Sequence, residues 1–349
     1  MNIKKLSLKN FRNHSNISFD FKGGLNIITG NNGVGKTNIV EAIHYLSLAR
    51  SFRSQDEQDL ILEGKRNAEI FALIKEGDIS RKIRILINKE GRQIFINDKS
   101  VSKISELSSS VNVLLFEPKD ALFYKDSPKV RRNFLDINIS KKSPKYLEVY
   151  SRYEKALKER NELLKQEQID LDLLDSITEI LVDLSLEIIK ARQAYVKDIN
   201  DILIILSRAL TGVRDDIRLI YEPFISLSDN FKEKAKTAFK NALESDLKRK
   251  ATSIGVHRED FSITLNGRDI ATYGSQGENR LLALALKLSP YFLIENKEKR
   301  PIIVLDDVMS ELDQTHRLRL IKLLSKFEQV FITATKLEVK DAAQYHLQK

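Results

Sequence analysis

The sequence predicts an α/β fold in which a head of mixed sheets is interrupted by an inserted helical arm. Residues 3–118 contain short segments with the alternating apolar pattern of half-buried strands. After Pro144 the apolar period lengthens to about three and a half residues, as in packed helices. Strand-like sequence returns after Ile254. We therefore divide the 349 residues into the N-terminal part of the head at 1–120, the arm at 121–250 and the C-terminal part of the head at 251–349.

A glycine-rich segment within the first part has the pattern G-x-x-x-x-G-K-T. Its residues are Gly30, Asn31, Asn32, Gly33, Val34, Gly35, Lys36 and Thr37. Residues 25–29 before it resemble a buried strand, and residues 38–43 after it resemble a helix, which is the order that a phosphate-binding loop requires. Backbone N–H groups and the helix N-terminus then surround the phosphates of a nucleoside triphosphate. We expect Lys36 to bind the β- and γ-phosphates of ATP and Thr37 to bind Mg²⁺.

The arm is predicted from two apolar rows at helical spacing. The longer row consists of Leu174, Ile177, Leu181, Leu184, Ile188, Ala191 and Tyr195. A preceding helix carries Leu147, Tyr150, Leu157 and Leu164. The pattern is compatible with a projecting antiparallel hairpin and equally with a helical subdomain that packs on a core.

An apolar run followed by two carboxylates supplies the second half of the predicted site. Residues 302–305 read as a buried parallel strand whose carboxyl end is followed by Asp306 and Asp307. We expect Asp306 to hold Mg²⁺ and Asp307 to orient and activate the attacking water.

A Ser-Gln-Gly turn lies 31 residues before Asp306 and starts another apolar helix. Its residues Ser275, Gln276 and Gly277 offer a hydroxyl, an amide and backbone N–H groups to an anion. The turn alone is an ordinary helix start; its position relative to the acidic strand makes it a candidate binding segment.

Composition excludes several classes of protein. The chain has no cysteine, which excludes disulfides, thiolate zinc sites and thiol catalysis and suits a reducing cytoplasm. No uncharged apolar stretch is long enough for a membrane span, and the N-terminal residues do not read as a signal peptide. A net charge of +9 favours polyanionic partners, with basic clusters at 81–84, 129–132, 141–145 and 248–250.

The four motifs, ending with the turn at residues 310–313, occur in the order found in ATP-binding-cassette ATPases. Within that class the chain resembles the branch that contains the structural-maintenance-of-chromosomes (SMC) proteins and, most closely, the RecF family. The resemblance runs nearly from end to end. Further segments that carry it are residues 8–13, 49–53, 127–136, 256–261 and 273–280.

The resemblance implies an ATP-dependent homodimer in which Ser275 and Gln276 of one subunit face the γ-phosphate held by Lys36 of the other. It also implies that Asp313 lies near that interface and that Arg12 contacts phosphate. RecF-like proteins bind double-stranded DNA and single/double-strand junctions, and they act with RecR and RecO to help load RecA. The implied activity is a slow, DNA-stimulated ATP hydrolysis that serves as a switch.

Three positions depart from the patterns of these families. Glu278 stands where the RecF family more often has glutamine, and Asp307 is shorter than the glutamate that is more usual there. Thr335 follows the last buried strand, where transporter ATPases have a switch histidine. We expect Thr335 to substitute for that histidine in the nucleotide site and Asp307 to give slow turnover.

Two other functions fit part of the pattern. In the transporter ATPase family, the segment that corresponds to the Ser-Gln-Gly turn usually follows the phosphate loop by about a hundred residues. In this chain Ser275 follows Thr37 by 238 residues. A coiled-coil scaffold that binds nucleotide without turnover would not need the carboxylate at Asp307. The sequence therefore favours a DNA-binding ATPase of recombinational repair.

Overall fold

Strands and helices alternate along residues 1–348, which the computed structural model describes with the exception of the side chains of Ser105 and Leu122. The strands are β1 (Asn2–Phe11), β2 (His14–Asp20), β3 (Gly24–Thr29), β4 (Asn67–Glu76), β5 (Ile79–Asn88), β6 (Gly91–Ile96), β7 (Lys99–Val101), β8 (Val113–Phe116), β9 (Ile217–Glu222), β10 (Asp260–Leu265), β11 (Arg268–Asp269), β12 (Ile302–Leu305), β13 (Gln329–Ala334) and β14 (Ala343–His346). The α-helices are α1 (Lys36–Leu48), α2 (Ile104–Ser110), α3 (Pro128–Lys142), α4 (Pro144–Leu163), α5 (Leu171–Thr211), α6 (Phe231–Arg249), α7 (Ile270–Tyr273), α8 (Gln276–Phe292) and α9 (Gln314–Leu324).

The chain forms two compact units. The first unit contains residues 1–121, 209–212 and 291–348, and the second contains residues 122–208 and 213–290. The second unit thus includes residues 251–290, which the sequence analysis assigned to the C-terminal part of the head. The reason is that β9 and β10 pair with each other and α3 packs on β10, so this segment joins the helices that precede it.

The first unit contains the mixed sheets predicted from the sequence. One is antiparallel with strand order β2-β1-β4-β5-β6-β7, and the other is parallel with order β14-β3-β13-β12-β8. Helix α1 contributes Ile39, Val40 and Ile43 to a core that also holds Leu6 of β1 and Phe331 of β13. Strands β12 and β13 are buried throughout, as expected for the centre of a parallel sheet.

The parallel register determines which residues meet at the site. Thr29 at the end of β3 pairs with Ala334 at the end of β13, and Leu305 at the end of β12 pairs with Ile332 of β13. Because parallel strands present their carboxyl ends at the same edge, the segments that follow β3, β12 and β13 are neighbours.

Three helices of the second unit contact one another. Lys145 of α4 pairs with Glu187 of α5, and Lys236 of α6 pairs with Glu179 of α5. Helix α5 runs for 41 residues, and the apolar row predicted for it is largely buried. Since α6 lies against both helices of the predicted hairpin, the arm segment forms a cluster of three helices.

The apolar row predicted for the helix that precedes α5 is only partly correct. Leu164 is buried as predicted, but Leu147 is 52% exposed. The buried positions of α4 include Tyr146, Val149 and Tyr153. The buried row continues to Arg160, whose guanidinium pairs with the fully buried Asp246 of α6 at 2.7 Å. A count of apolar residues cannot find this face because a charged residue completes it.

A buried ionic network surrounds Arg192 in α5. Its guanidinium donates to both oxygens of Asp136 at 2.9 Å, to Glu259 Oε2 at 2.6 Å and to the carbonyl of Val256 at 2.9 Å. Burial opposes the charge on Arg192, but the surrounding acids, Asp136 foremost, outweigh it and raise the pKa of the guanidinium. Arg192 therefore stays charged and ties α3 to the segment before β10.

His257 gives the second unit a predicted dependence on pH. Its ring lies 2.8 Å from the Tyr153 hydroxyl and 3.1 Å from the Thr252 carbonyl, and burial lowers its pKa from 6.5 to about 4. The unfolded chain therefore binds a proton between these values that the native protein does not, so stability falls as pH falls through this window. The expected loss is about 3 kcal/mol between pH 7 and pH 4.

Urea unfolding of the wild type and of His257→Gln at pH 4 to 7 measures this contribution. Glutamine retains hydrogen-bonding capacity but does not titrate, so the variant should lose less stability than the wild type on acidification. Parallel pH profiles for the two proteins would contradict the assignment.

Candidate nucleotide site

The loop between β3 and α1 has a backbone that requires glycine. Gly30, Gly33 and Gly35 have φ angles of 150°, 80° and 107°. A Cβ atom at Gly35 would lie 2.5 Å from both Asn13 Oδ1 and His14 Nε2. No side chain caps the N-terminus of α1, so no capping side chain competes with an anion for the N-terminus of this helix.

Lys36 is buried and folded onto the loop. Its ammonium donates to the carbonyls of Gly30 at 2.7 Å and Asn31 at 2.9 Å. An ammonium has three donors, so the third is available to a phosphate oxygen without loss of the other two. The side chain therefore holds the loop and supplies its positive charge.

Thr37, Asp306 and Thr333 meet at the carboxyl edge of the parallel sheet. The hydroxyls of Thr37 and Thr333 both donate to Asp306 Oδ1, at 3.2 and 2.6 Å. Burial raises the pKa of the Asp306 carboxyl, while the two hydroxyls lower it in part. A hydroxyl and a carboxylate at this separation are oxygen ligands of the kind that Mg²⁺ takes beside nucleotide phosphates.

Thr333 also holds the backbone of the second carboxylate residue, Asp307. The N–H of Asp307 donates to Thr333 Oγ1 at 2.9 Å, and its backbone is left-handed with φ 49°. The Asp307 carbonyl accepts a bond from Ser310 Oγ at 2.8 Å. The backbone is thus held on both sides while the side chain is exposed to solvent at the sheet edge, where a water molecule has access.

Arg12 lies next to the loop but pairs with Glu41 of α1. The pair is bidentate at 2.9 and 2.6 Å, and Glu41 is fully buried. Glu41 also accepts from Ser51 Oγ at 2.6 Å and lies 3.5 Å from Arg53. The predicted contact of Arg12 with phosphate would have to coexist with this pair, and it stays a prediction.

The turn between β1 and β2 holds the phosphate loop from outside. Asn13 donates to the carbonyl of Val34 at 3.2 Å and accepts from Asn38 at 2.7 Å, and His14 Nε2 lies 3.1 Å from the Gly35 carbonyl. Burial lowers the pKa of His14.

Sequence reasoning missed Asn13, His14, Glu41 and Thr333. Two of them had a signal in the sequence: Glu41 is a carboxylate in the helix that follows the phosphate loop, and Thr333 is a threonine inside an apolar strand.

Thr335 and Asp313 are two further residues predicted for this site. Thr335 directly follows β13 and is exposed. Asp313 caps α9, accepting from the N–H of His316 at 3.0 Å. Their predicted contacts with nucleotide and with a partner subunit involve molecules outside this chain and stay predictions.

The Ser-Gln-Gly segment belongs to the second unit. Ser275, Gln276 and Gly277 are exposed at the start of α8. The N–H of Ser275 donates to Glu278 Oε2 at 2.8 Å, and the N–H of Glu278 lies 3.3 Å from Ser275 Oγ. This reciprocal pair is a capping box, so the unusual glutamate has a local role in the helix start.

The basic cluster at 129–132 is partly committed to the fold. Arg131 Nε donates to Asp260 Oδ1 at 2.8 Å, and Arg132 donates to the Glu259 carbonyl at 2.6 Å. Both contacts lie within the second unit, so replacing these arginines would disturb its packing. Lys129 is exposed, so its charge remains accessible to a polyanion.

The donor chemistry limits how a cation could be held. Among the described residues, no cluster of three or more histidine or acidic side chains is suited to bind a metal ion. Magnesium at Thr37 and Asp306 would therefore need phosphate oxygens and water as further ligands, which fits a nucleotide-bound ion. Within residues 1–348 no helix combines the length and apolar character of a membrane span.

Comparison with known proteins relates this chain to one family. Residues 2–348 match the family described as RecF/RecN/SMC N terminal domain. A DNA replication and repair protein RecF from Clostridium acetobutylicum is 37% identical over 338 residues, covering 96% of this chain and 93% of that protein. The chain belongs to the RecF family. The protein of the same name from Streptococcus pneumoniae strain CGSP14 is 35% identical over 340 residues, with the same coverage.

Solved structures agree with this family assignment. One described as the recombination mediator protein RecF-ATP in the RecFOR pathway is 33% identical, with a TM-score of 0.83 over 96% of this chain and 93% of that one. An SMC head domain with an extended coiled coil, derived from Pyrococcus furiosus, has a TM-score of 0.61 at 20% identity, covering 96% and 89%. The RecF family therefore shares its fold with SMC heads, as the sequence predicted.

Proposed function

We propose that this protein is an ATP-dependent DNA-binding protein of recombinational repair and replication restart. The observation that carries the proposal is the bonding of Thr37 and Thr333 to Asp306 beside the phosphate loop. It occurs in a chain that is 33% identical to a structure described as a RecF–ATP recombination mediator.

The nucleotide-site residues of the first unit each have a role in this proposal. The N–H groups of the loop and the third donor of Lys36 bind the phosphates, while Thr37 and Asp306 hold Mg²⁺. Magnesium supplies charge neutralisation at the β- and γ-phosphates when bound. Asp307 accepts a proton from the attacking water and orients it. Because aspartate is short, hydrolysis is slow and acts as a switch.

The second unit supplies the contact between subunits. Ser275 and Gln276 are exposed and so accessible to the γ-phosphate bound by a partner copy. ATP thereby joins two copies head to head, and hydrolysis releases them. The dimer binds double-stranded DNA or single/double-strand junctions in the cytoplasm and acts with RecR and RecO to load RecA. The net charge of +9 supports a polyanionic partner.

The Asp307→Asn variant tests this function. Asparagine keeps the size of the side chain but cannot accept the proton of the water, so ATP should stay bound and the dimer should persist. Fluorescence anisotropy of labelled duplex DNA, with and without Mg-ATP at two salt concentrations, should show about tenfold tighter binding with ATP. The affinity should fall with added salt.

Asp98→Asn is the matched control, because Asp98 lies in the turn between β6 and β7 with its side chain 79% exposed. It should behave as the wild type. ATP-driven dimerisation without DNA affinity would overturn the DNA-binding function and reopen the transporter alternative. A monomer that persists at saturating ATP would overturn the dimer.

A further inference from the structure

At the start of α8, a negatively charged side chain lies next to the hydrogen-bond donors of the Ser-Gln-Gly segment. Glu278 Oε2 accepts the N–H of Ser275 at 2.8 Å, and the N–H of Glu278 lies 3.3 Å from the Ser275 hydroxyl oxygen. The Ser275 hydroxyl and N–H lower the pKa of Glu278, so the carboxylate is ionised at neutral pH. Both residues are exposed to solvent and accessible to a second copy of the chain.

A carboxylate and a phosphate compete for the same donors. Ser275 has one backbone N–H and one hydroxyl proton, and Glu278 already engages the N–H. An incoming γ-phosphate that binds this N–H must displace the carboxylate from it, and it must also approach the negative charge of the carboxylate. The capping box holds the Glu278 side chain at the start of α8. The carboxylate therefore cannot move away from Ser275 without loss of the cap.

We propose that Glu278 occupies, in the free protomer, the anion position that the partner's γ-phosphate takes in the dimer, and so raises the ATP concentration needed for dimerisation. The inference rests on the proposed function, because it assumes the contact of Ser275 with the partner's nucleotide. It assigns Glu278 a regulatory role at that contact. The adjacent Gly277 has no side chain, and no atom lies within 4 Å of the position that a Cβ would take there, so the approach is open.

Glu278→Gln separates charge from shape. Glutamine can make the same capping bonds as glutamate but carries no charge. Measured by sedimentation in the Asp307→Asn background, where ATP is not consumed, the half-maximal ATP concentration for dimerisation should fall about fivefold. That is the effect of one unit charge at about 4 Å in water. The difference should shrink as salt is added.

Glu278→Ala distinguishes this role from helix capping alone. It removes both the charge and the cap, so the proposal expects its ATP requirement to fall as well. A purely structural Glu278 would leave the glutamine variant unchanged and raise the ATP requirement of the alanine variant. Thermal unfolding of each variant reports whether α8 is still formed.

The outcomes identify which claim fails. If the background protein dimerises with ATP and Glu278→Gln has the same or a higher ATP requirement, the role of Glu278 is overturned and the proposed function stands. If the background protein never dimerises with ATP, the proposed dimer is overturned and the role of Glu278 with it.

Discussion

Replacing Lys36 with alanine is expected to weaken ATP binding by about 10- to 100-fold. The buried ammonium makes charge-assisted hydrogen bonds, and each such bond contributes about 1.5–3 kcal/mol. The substitution removes the proposed bond to phosphate and also the two bonds that hold the carbonyls of Gly30 and Asn31. Equilibrium binding of a fluorescent ATP analogue measures the loss.

Lys65→Ala is a suitable control, because Lys65 is an exposed lysine in the loop before β4. This substitution removes the same charge from the protein but leaves the phosphate loop unchanged, so the ATP affinity of the variant should equal that of the wild type. Lys36→Arg retains a cation but cannot repeat the geometry, so it should also bind weakly. Unchanged affinity in both Lys36 variants would refute the phosphate contact.

Arg192→Met should destabilise the second unit by about 3–5 kcal/mol. Methionine has a similar length, so the main effect is that Asp136 and Glu259 remain buried without their cation. Burial already raises the pKa of Glu259, and loss of the guanidinium removes a charge that lowers it. The variant should therefore unfold at lower urea concentration, most clearly at high pH, where the Glu259 carboxyl is forced to ionise.

Arg218→Met provides the contrast within the same unit. Arg218 pairs with Asp216 at 3.0 Å, but both side chains are more than half exposed. Exposed pairs contribute about 0–1 kcal/mol, so this variant should unfold close to the wild type. Equal destabilisation by the two substitutions would show that burial of the Arg192 network is not what makes it important.

The phosphate loop and the acidic strand were predictable because their signals are local. The strand, the glycine pattern and the helix together occupy residues 24–48, and β12 is a short apolar run that is followed directly by Asp306. The residue pattern of each segment predicts the conformation of that segment, and the known order of the motifs indicates that the segments belong to one site. The predicted roles of Ser275 and Thr335 depend on other molecules and stay predictions.

Thr333 and Glu41 were not predictable because their roles come from distant partners. Thr333 is 27 residues from the carboxylate that it contacts, and Glu41 is 29 residues from Arg12. Neither spacing belongs to a repeating pattern. Polar residues inside apolar segments are therefore visible in the sequence, but their partners require the register of the sheet.

The pairing of β3 has a consequence for synthesis of the chain. Gly24–Thr29 lies between β13 and β14, which follow it in the chain by about 300 residues. Gln329 adds to this dependence, since its side chain bonds the backbone of Ile3 and Lys22. At about 5–20 residues per second, a ribosome needs roughly 15–60 seconds to supply these partners. During that interval β3 lacks both of its neighbours in the parallel sheet, so a nascent chain acquires the ability to bind ATP only after β13 and β14 have been made.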